Sequence, residues 1–234
     1  MDMVELLTRF DLTRQEAVIY STLLSEGDMN GYEAAKTTGI SRSNTYTSLA
    51  ALVDKGGAYI MEGPATRYVP VPIDEFCRNR IRMLEEARQE LIRTIPAKRD
   101  GIEGYVTIKG KGHILEKMRN MVSEAKERVY ISGSQQVLEY LLPEIKDAAG
   151  RGIKTVLITD SPFCIDGATV HFAEKPQHQI RLIADSTNVL TGDVDDGEHS
   201  TCLYSRKKNL IDLLKESLKN EIKLIEMTKG DNVK

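Results

Sequence analysis

The sequence predicts three pieces in series: an α+β winged helix-turn-helix, a dimerising helix, and an α/β domain with a mixed sheet. Three observations carry this. Residues 2–72 read as four helices and then a hairpin, with a tight turn between the third and fourth helices. Residues 73–95 contain no Gly or Pro and carry an apolar stripe. Residues 104–228 alternate strand and helix signals, the pattern of an α/β domain. A length of 234 residues suits one full domain plus a small one. The expected boundaries are 1–72, 73–96 and 97–234.

The elements follow in order. Thr13 and Glu16 have the spacing of a capping box, and Ala17, Tyr20, Leu23 and Leu24 then share one helical face. Gly27-Asp28 stops that helix. A short helix over 31–38 turns Tyr32, Ala34 and Ala35 inward, and Gly39 ends it. Ser41 caps the next helix, whose buried face is expected at Tyr46, Leu49, Ala50, Leu52 and Val53. Gly39 permits a positive φ in the turn, and Ile40 plugs the core. Strands are expected at 58–61 and 66–71, with Pro70 and Pro72 confining the second to an edge.

In the long helix, Ile73, Cys77, Leu84, Ala87, Leu91 and Ile95 approximate a coiled-coil seam, with Arg80 as an intruder. Such a stripe needs a partner, and self-association is the expected one. Pro96 to Gly104 reads as a linker. Beyond it, strands are expected at 105–108, 129–132, 155–159, 170–172, 180–184, 188–191 and 201–204. Helices are expected at 112–125, 135–150 (restarted at Pro143) and 209–227.

Composition narrows the function classes. The chain is 41% hydrophobic and 29% charged, which excludes general disorder. Three widely spaced cysteines do not read as a disulfide framework, so a reducing compartment is expected. The acidic start lacks an apolar stretch, and no run approaches the roughly 20 residues of a membrane span. A cytoplasmic protein without a membrane partner is expected. The formal charge is −3, and residues 1–72 hold six basic against nine acidic residues. Net charge therefore gives no support to nucleic-acid binding, which must rest on local geometry.

That geometry is specific. A recognition helix puts its first two turns into the major groove, here Arg42, Ser43, Asn44, Thr47 and Ser48. Arg pairs with guanine, Asn with adenine, and Ser or Thr with a base or a phosphate. Ser41 and the amides at the helix start can hold a phosphate. Lys36, Lys55 and Arg67 are phosphate candidates, and each of them, like Arg42, also reads as a solvated surface charge. Double-stranded DNA and a second copy of the chain are the expected partners, with a small-molecule effector of unstated identity as a third. No cofactor is called for.

The residues Ile40-Ser-Arg-Ser-Asn-Thr-Tyr46, Leu49, Leu52, Lys55-Gly56, Gly63-Pro64 and Arg67-Tyr-Val-Pro-Val71 resemble the TrmB-type transcription regulators. The similarity runs through the long helix into the α/β domain. It implies a DNA-binding winged helix, a dimerising coiled coil and a phospholipase-D-like regulatory domain. Archaeal members sense maltose-type sugars through a longer C-terminal region, so no sugar ligand is carried over.

The phospholipase-D-like resemblance raises a second class, a degenerate phosphodiesterase. Those enzymes use an H-x-K-x4-D motif. Here His178 and Asp185 keep the spacing, but Ile180 occupies the Lys position. Arg181 is adjacent, on the opposite face of a strand, so it does not substitute. Phosphoryl transfer depends on charge stabilisation, so no enzyme activity is expected. A third class is a winged-helix protein–protein adaptor, for which the acidic charge of residues 1–72 argues. His199 and Cys202, with Cys164 and His171, do not make a tight ligand set, and no metal is expected. Residues 193–198 read as an acidic hairpin loop rather than a Ca²⁺ loop. The 206–208 basic run reads as a solvated turn, and Gly110-Lys-Gly112 as a simple strand-to-helix turn.

Overall fold

The structure, a computed structural model, describes residues 2–95, 104–162, 164–195 and 200–231. The chain divides into two compact units, Met1–Lys98 and Arg99–Lys234.

The first unit contains α1 (Met3–Thr8), α2 (Arg14–Glu26), β1 (Met29–Asn30), α3 (Gly31–Thr38), α4 (Arg42–Asp54), β2 (Ala58–Met61), β3 (Arg67–Pro70) and α5 (Ile73–Thr94). Thr13 and Glu16 cap α2 reciprocally, and Asn30 and Glu33 do the same for α3, satisfying amides that the helix leaves open. Leu7, Ala17, Tyr20, Leu23, Leu49, Leu52 and Phe76 form one core. The Tyr20 hydroxyl donates to the carbonyl of Val71 at 2.7 Å, and its ring meets Phe76 at 5.2 Å. Burial pushes the Tyr20 pKa up, so this donor stays protonated. The pair ties α2 to the strand exit and to the start of α5.

Three expectations fail here. The sheet has the order β1-β3-β2, so β3 is central rather than at an edge. Its proline is tolerated because β1 pairs only with Arg67 and Tyr68, and Pro70 lies beyond its reach, opposite Ala58. Tyr32, Tyr46 and Ala50 face outward, while Thr45 and Ser48 join Leu49 and Leu52 in the buried set of α4. The Thr45 hydroxyl donates to the Ser41 carbonyl at 3.0 Å, so a polar side chain is accommodated inside without an orphaned group. Arg80 leaves the expected seam of α5 and pairs with Asp11 at 2.5 Å. Only the first turns of α5 pack on the core, through buried Phe76 and half-buried Cys77. Ile81, Leu84, Leu91, Ile92 and Ile95 are exposed.

The second unit contains β4 (Tyr105–Lys109), α6 (Lys111–Ser123), β5 (Arg128–Gly133), α7 (Gln135–Glu139), α8 (Leu142–Gly150), β6 (Lys154–Thr159), β7 (Ala168–Phe172), β8 (Gln179–Ala184), β9 (Asn188–Asp193), β10 (Thr201–Ser205) and α9 (Lys208–Asp231). Among the described residues the strands make one mixed sheet, ordered β4-β10-β9-β8-β5-β6-β7. Strands β5, β6 and β7 are parallel, and the remaining pairings are antiparallel. Alternation along β8 divides the unit. Ile180 and Leu182 join a core with α6, α7 and α8, whereas Ile183 joins another with α9. Apolar runs such as Val156–Ile158 reflect strands covered on both faces. Residues 196–199, which include His199 and half of the expected acidic loop, lie outside the described residues.

Candidate nucleic-acid interface

The turn between α3 and α4 sets the geometry of the recognition surface. Gly39 takes a left-handed φ of 72°, and its amide donates to the carbonyl of Ala35. The chain then reverses within two residues, and the Ser41 hydroxyl accepts from the Asn44 amide at 3.4 Å. α4 therefore begins with its first turn in solvent. Arg42, Ser43, Asn44 and Thr47 are all exposed there, and Lys36 is exposed on α3. Neither Arg42 nor Lys36 makes an ion pair among the described residues.

Ser48 is a correction. It is buried on the same face as Thr45 and Leu52, so it reaches no external partner. Lys55 and Arg67 are placed differently from the free phosphate contacts expected of them. Lys55 Nζ lies 2.8 Å from Glu16 Oε2 and donates to the Asp11 carbonyl at 2.7 Å. Arg67 pairs with Asp28, reaches Glu33 at 3.3 Å and donates to the Asp28 carbonyl at 2.6 Å. The hydrogen bond from Arg67 holds the Asp28 carboxyl below its ordinary range. Both cations thus tie elements of the first unit together.

Two residues assigned inward from the sequence stand on the recognition surface instead. The Tyr32 ring, 52% exposed, lies under the Arg42 guanidinium at 4.8 Å from its centroid, a cation–π contact that orients the side chain. Tyr46, 50% exposed, sits against Gly31, where an added Cβ would stand 2.5 Å from the ring Cζ. The aromatic ring is seated because residue 31 has no side chain. The spacing of Thr45, Ser48, Leu49 and Leu52 (i, i+3, i+4, i+7) was the available signal. It differs by one residue from the expected face, which began at Tyr46.

In the second unit the H-x-K-x4-D remnant does not assemble. His178 precedes β8, and Ile180 is fully buried in the core. Arg181 points to the other face, donating to Ser132 Oγ at 3.2 Å and pairing with Glu221 at 2.9 Å. Asp185 lies past the far end of β8, roughly 20 Å along an extended strand from His178. There it takes a φ of 51° and accepts the amides of Lys126, Glu127 and Arg128 at 2.8–3.0 Å. Burial raises its pKa, but those three amides outweigh burial and hold it below the ordinary value. Among the described residues no three His, Cys, Asp or Glu side chains gather as a metal-binding group. Cys164 is exposed, whereas Cys202 is buried, which pushes its thiol up to about 12.

The family model described as "Sugar-specific transcriptional regulator TrmB" matches residues 6–74. A second, for the N-terminal subdomain of the TrmB EBD, matches residues 104–220. The Bacillus subtilis (strain 168) protein YrhO is 26% identical over 239 residues, covering 97% of this chain and 87% of that protein. The HTH-type sugar sensing transcriptional regulator TrmBL1 of Pyrococcus furiosus is 28% identical over 147 residues, 60% of this chain and 42% of its own length. Among solved structures, TrmBL2, described as an archaeal chromatin protein, aligns over 94% of this chain and 97% of its own at 20% identity, with a TM-score of 0.42. NucT from Helicobacter pylori aligns over 51% of this chain and 97% of its own at 16% identity, with a TM-score of 0.43. With its two units matched in turn by the two TrmB models, the chain belongs to the TrmB family of DNA-binding transcription regulators.

Proposed function

We propose that the chain acts as an effector-responsive homodimer that reads a two-fold symmetric operator. In this division of labour residues 1–72 bind DNA, 73–96 dimerise and 97–234 regulate. The observation that carries it is the exposed start of α4, where Arg42 stands unpaired by any carboxylate among the described residues and oriented by Tyr32. Arg42 and Asn44 suit base edges, and Ser43 and Thr47 suit a base or a phosphate. Ser41, Lys36 and the Tyr46 hydroxyl suit the backbone, while Lys55 and Arg67 brace the domain. The exposed apolar stripe of α5 supports dimerisation. Two paired α4 helices would engage half-sites about 34 Å apart, or a multiple of that distance. An effector acts only if it binds the DNA-competent and incompetent states unequally.

This reading places the chain in the cytoplasm, and no helix among the described residues is long and apolar enough to cross a membrane. It also excludes phosphodiesterase activity, supported by the buried Ile180 in the lysine position and by Asp185 serving as a turn anchor. Hydrolysis of a generic phosphodiester, lost in His178→Ala, would overturn that exclusion. The main test is selection of bound fragments from sheared genomic DNA, with Arg42→Ala in parallel. Enrichment of a palindromic site is expected, weakened in Arg42→Ala by about 1–3 kcal/mol. Equal affinity of the two proteins for the enriched site would remove Arg42 from the interface. No enrichment at low and moderate salt would leave two readings, a head that needs its effector or an adaptor.

A further inference from the structure

The long helix α5 leaves the first unit at one residue. In its opening turn Glu75 accepts from the Tyr59 hydroxyl at 3.1 Å, and the Phe76 ring lies 6.5 Å from that of Phe10 and 5.2 Å from that of Tyr20. Arg80 follows one turn later, with its side chain only 13% exposed. From residue 81 to residue 95 every position is exposed. Contacts within a single turn locate a helix but leave its tilt free. A second contact one turn further on fixes its direction, and Arg80 supplies it.

Arg80 is held by Asp11, whose Oδ2 lies 2.5 Å from its Nη2, and it has no other ion pair among the described residues. Asp11 stands in the turn between α1 and α2 at a φ of 68°, a left-handed conformation that Asp tolerates better than most residues. Its carbonyl accepts from Lys55 Nζ at 2.7 Å, and Lys55 is the C-cap of α4. Glu16 fixes Lys55 in turn. Asp11 therefore grips the end of α4 through its carbonyl and the root of α5 through its carboxylate.

We propose that Asp11 and Arg80 are positioning residues that set the angle between α4 and α5, and through it the half-site spacing that the dimer accepts. The proposal rests on the reading of the chain as a DNA-binding dimer, and neither residue touches DNA in it. The leverage follows from helix length. Arg42 and Lys55 stand at opposite ends of α4, about 20 Å apart at about 1.5 Å per residue. A tilt of about 10° at the Lys55 end moves Arg42 by about 3.5 Å, close to the rise of one base pair. A fixed joint rejects half-sites displaced by that step, and a loosened one tolerates them.

The test uses the full chain with Asp11→Gly, Arg80→Met and the two combined. Glycine takes the left-handed φ freely, and methionine places an apolar chain in a mostly buried slot, so both changes suit the fold. Affinity is measured on operators whose half-sites are moved one base pair closer or farther, and on DNA with a single half-site. The wild type should lose at least tenfold in affinity per displaced base pair. Each variant should lose threefold or less, and the double variant should match the single ones, because they break the same contact. Single half-site affinity should stay within twofold of the wild type. A spin label on a non-natural amino acid at position 43 leaves the free cysteines in place and reads the separation of the two heads without DNA. Its distance distribution should be at least twice as broad in either variant. A spacing preference as sharp in the variants as in the wild type overturns the joint and leaves the operator reading standing. A wild type indifferent to spacing overturns the operator reading, and the label distances then judge the joint alone. Equal widths in wild type and variants overturn it, as does a loss on the single half-site equal to the loss on the full operator.

Discussion

Gly31→Ala separates the recognition surface from the stability of the fold. The new Cβ would stand 2.5 Å from Tyr46 Cζ and 3.0 Å from Cδ1. Carbon atoms in contact prefer about 3.5–4.0 Å, so the ring must withdraw by roughly 1 Å. It has room to do so, because half of Tyr46 already faces solvent. The backbone does not object, since Gly31 lacks a positive φ and opens a helix. Alanine in place of glycine gains about 0.4–1 kcal/mol from a less flexible unfolded chain. A displaced rotamer costs about 0.5–1.5 kcal/mol. The two nearly cancel, so the urea midpoint should hold to within about 1 kcal/mol. Operator affinity should not hold. A phenol donating to a phosphate contributes about 1.5–3 kcal/mol, so a ring moved off its seat should weaken binding at least tenfold. The assay is fluorescence anisotropy on the selected operator beside urea denaturation, with Tyr46→Phe as the control that removes only the hydroxyl. Unchanged affinity in both variants would refute a role for Tyr46. A stability loss of about 3 kcal/mol would refute the claim that the ring is free to swing out.

Three further outcomes are expected. Leu84→Glu with Leu91→Glu should leave the fold within about 0.5 kcal/mol, because both positions are exposed in the single chain; sedimentation should nonetheless report a monomer, and a persistent dimer would place the interface elsewhere. Lys36→Ala should reduce the salt dependence of DNA binding by about one counterion, whereas Arg67→Ala should not, because Arg67 is held by Asp28 and Glu33. Asp185 has a depressed pKa, so its stabilisation is complete above the ordinary carboxyl value near about 3.9 and is lost as pH falls through its lower folded value. Asp185→Asn keeps one acceptor and tolerates the left-handed backbone, so it should cost about 1–2 kcal/mol at neutral pH and flatten the acid limb of the urea midpoint profile. An identical acid limb would discard the amide cradle as its cause.

Much of the architecture is legible in local patterns, because local chemistry decides it. Caps such as Thr13 with Glu16, the Gly39 stop and the Ser41 cap are short-range, and each appears in the structure where its spacing placed it. The strands of the second unit announce themselves by apolar runs, since strands covered on both faces have little room for polar residues. The α4 face failed by one position. Tyr46 was expected inside, but Gly31 offers the ring a seat outside, and Thr45 satisfies its own hydroxyl within. The strand β1 escaped notice because two residues carry no period, and its presence makes β3 central.

Charge shows the same division most sharply. The sequence by itself determined where helices are capped and stopped, where the strands of the second unit run and that Ile180 replaces a lysine. Each of these depends on residues within a few positions of one another. It did not determine which cations are free. Lys36, Lys55 and Arg67 looked alike as phosphate candidates, and each of them, like Arg42, could equally have been a solvated surface charge. Only the tertiary structure separated them, by bringing Glu16 to Lys55 and Asp28 to Arg67 across 39 positions while placing Tyr32 beneath Arg42. A side chain's partners are chosen by distance in space, and only the packed chain specifies that distance.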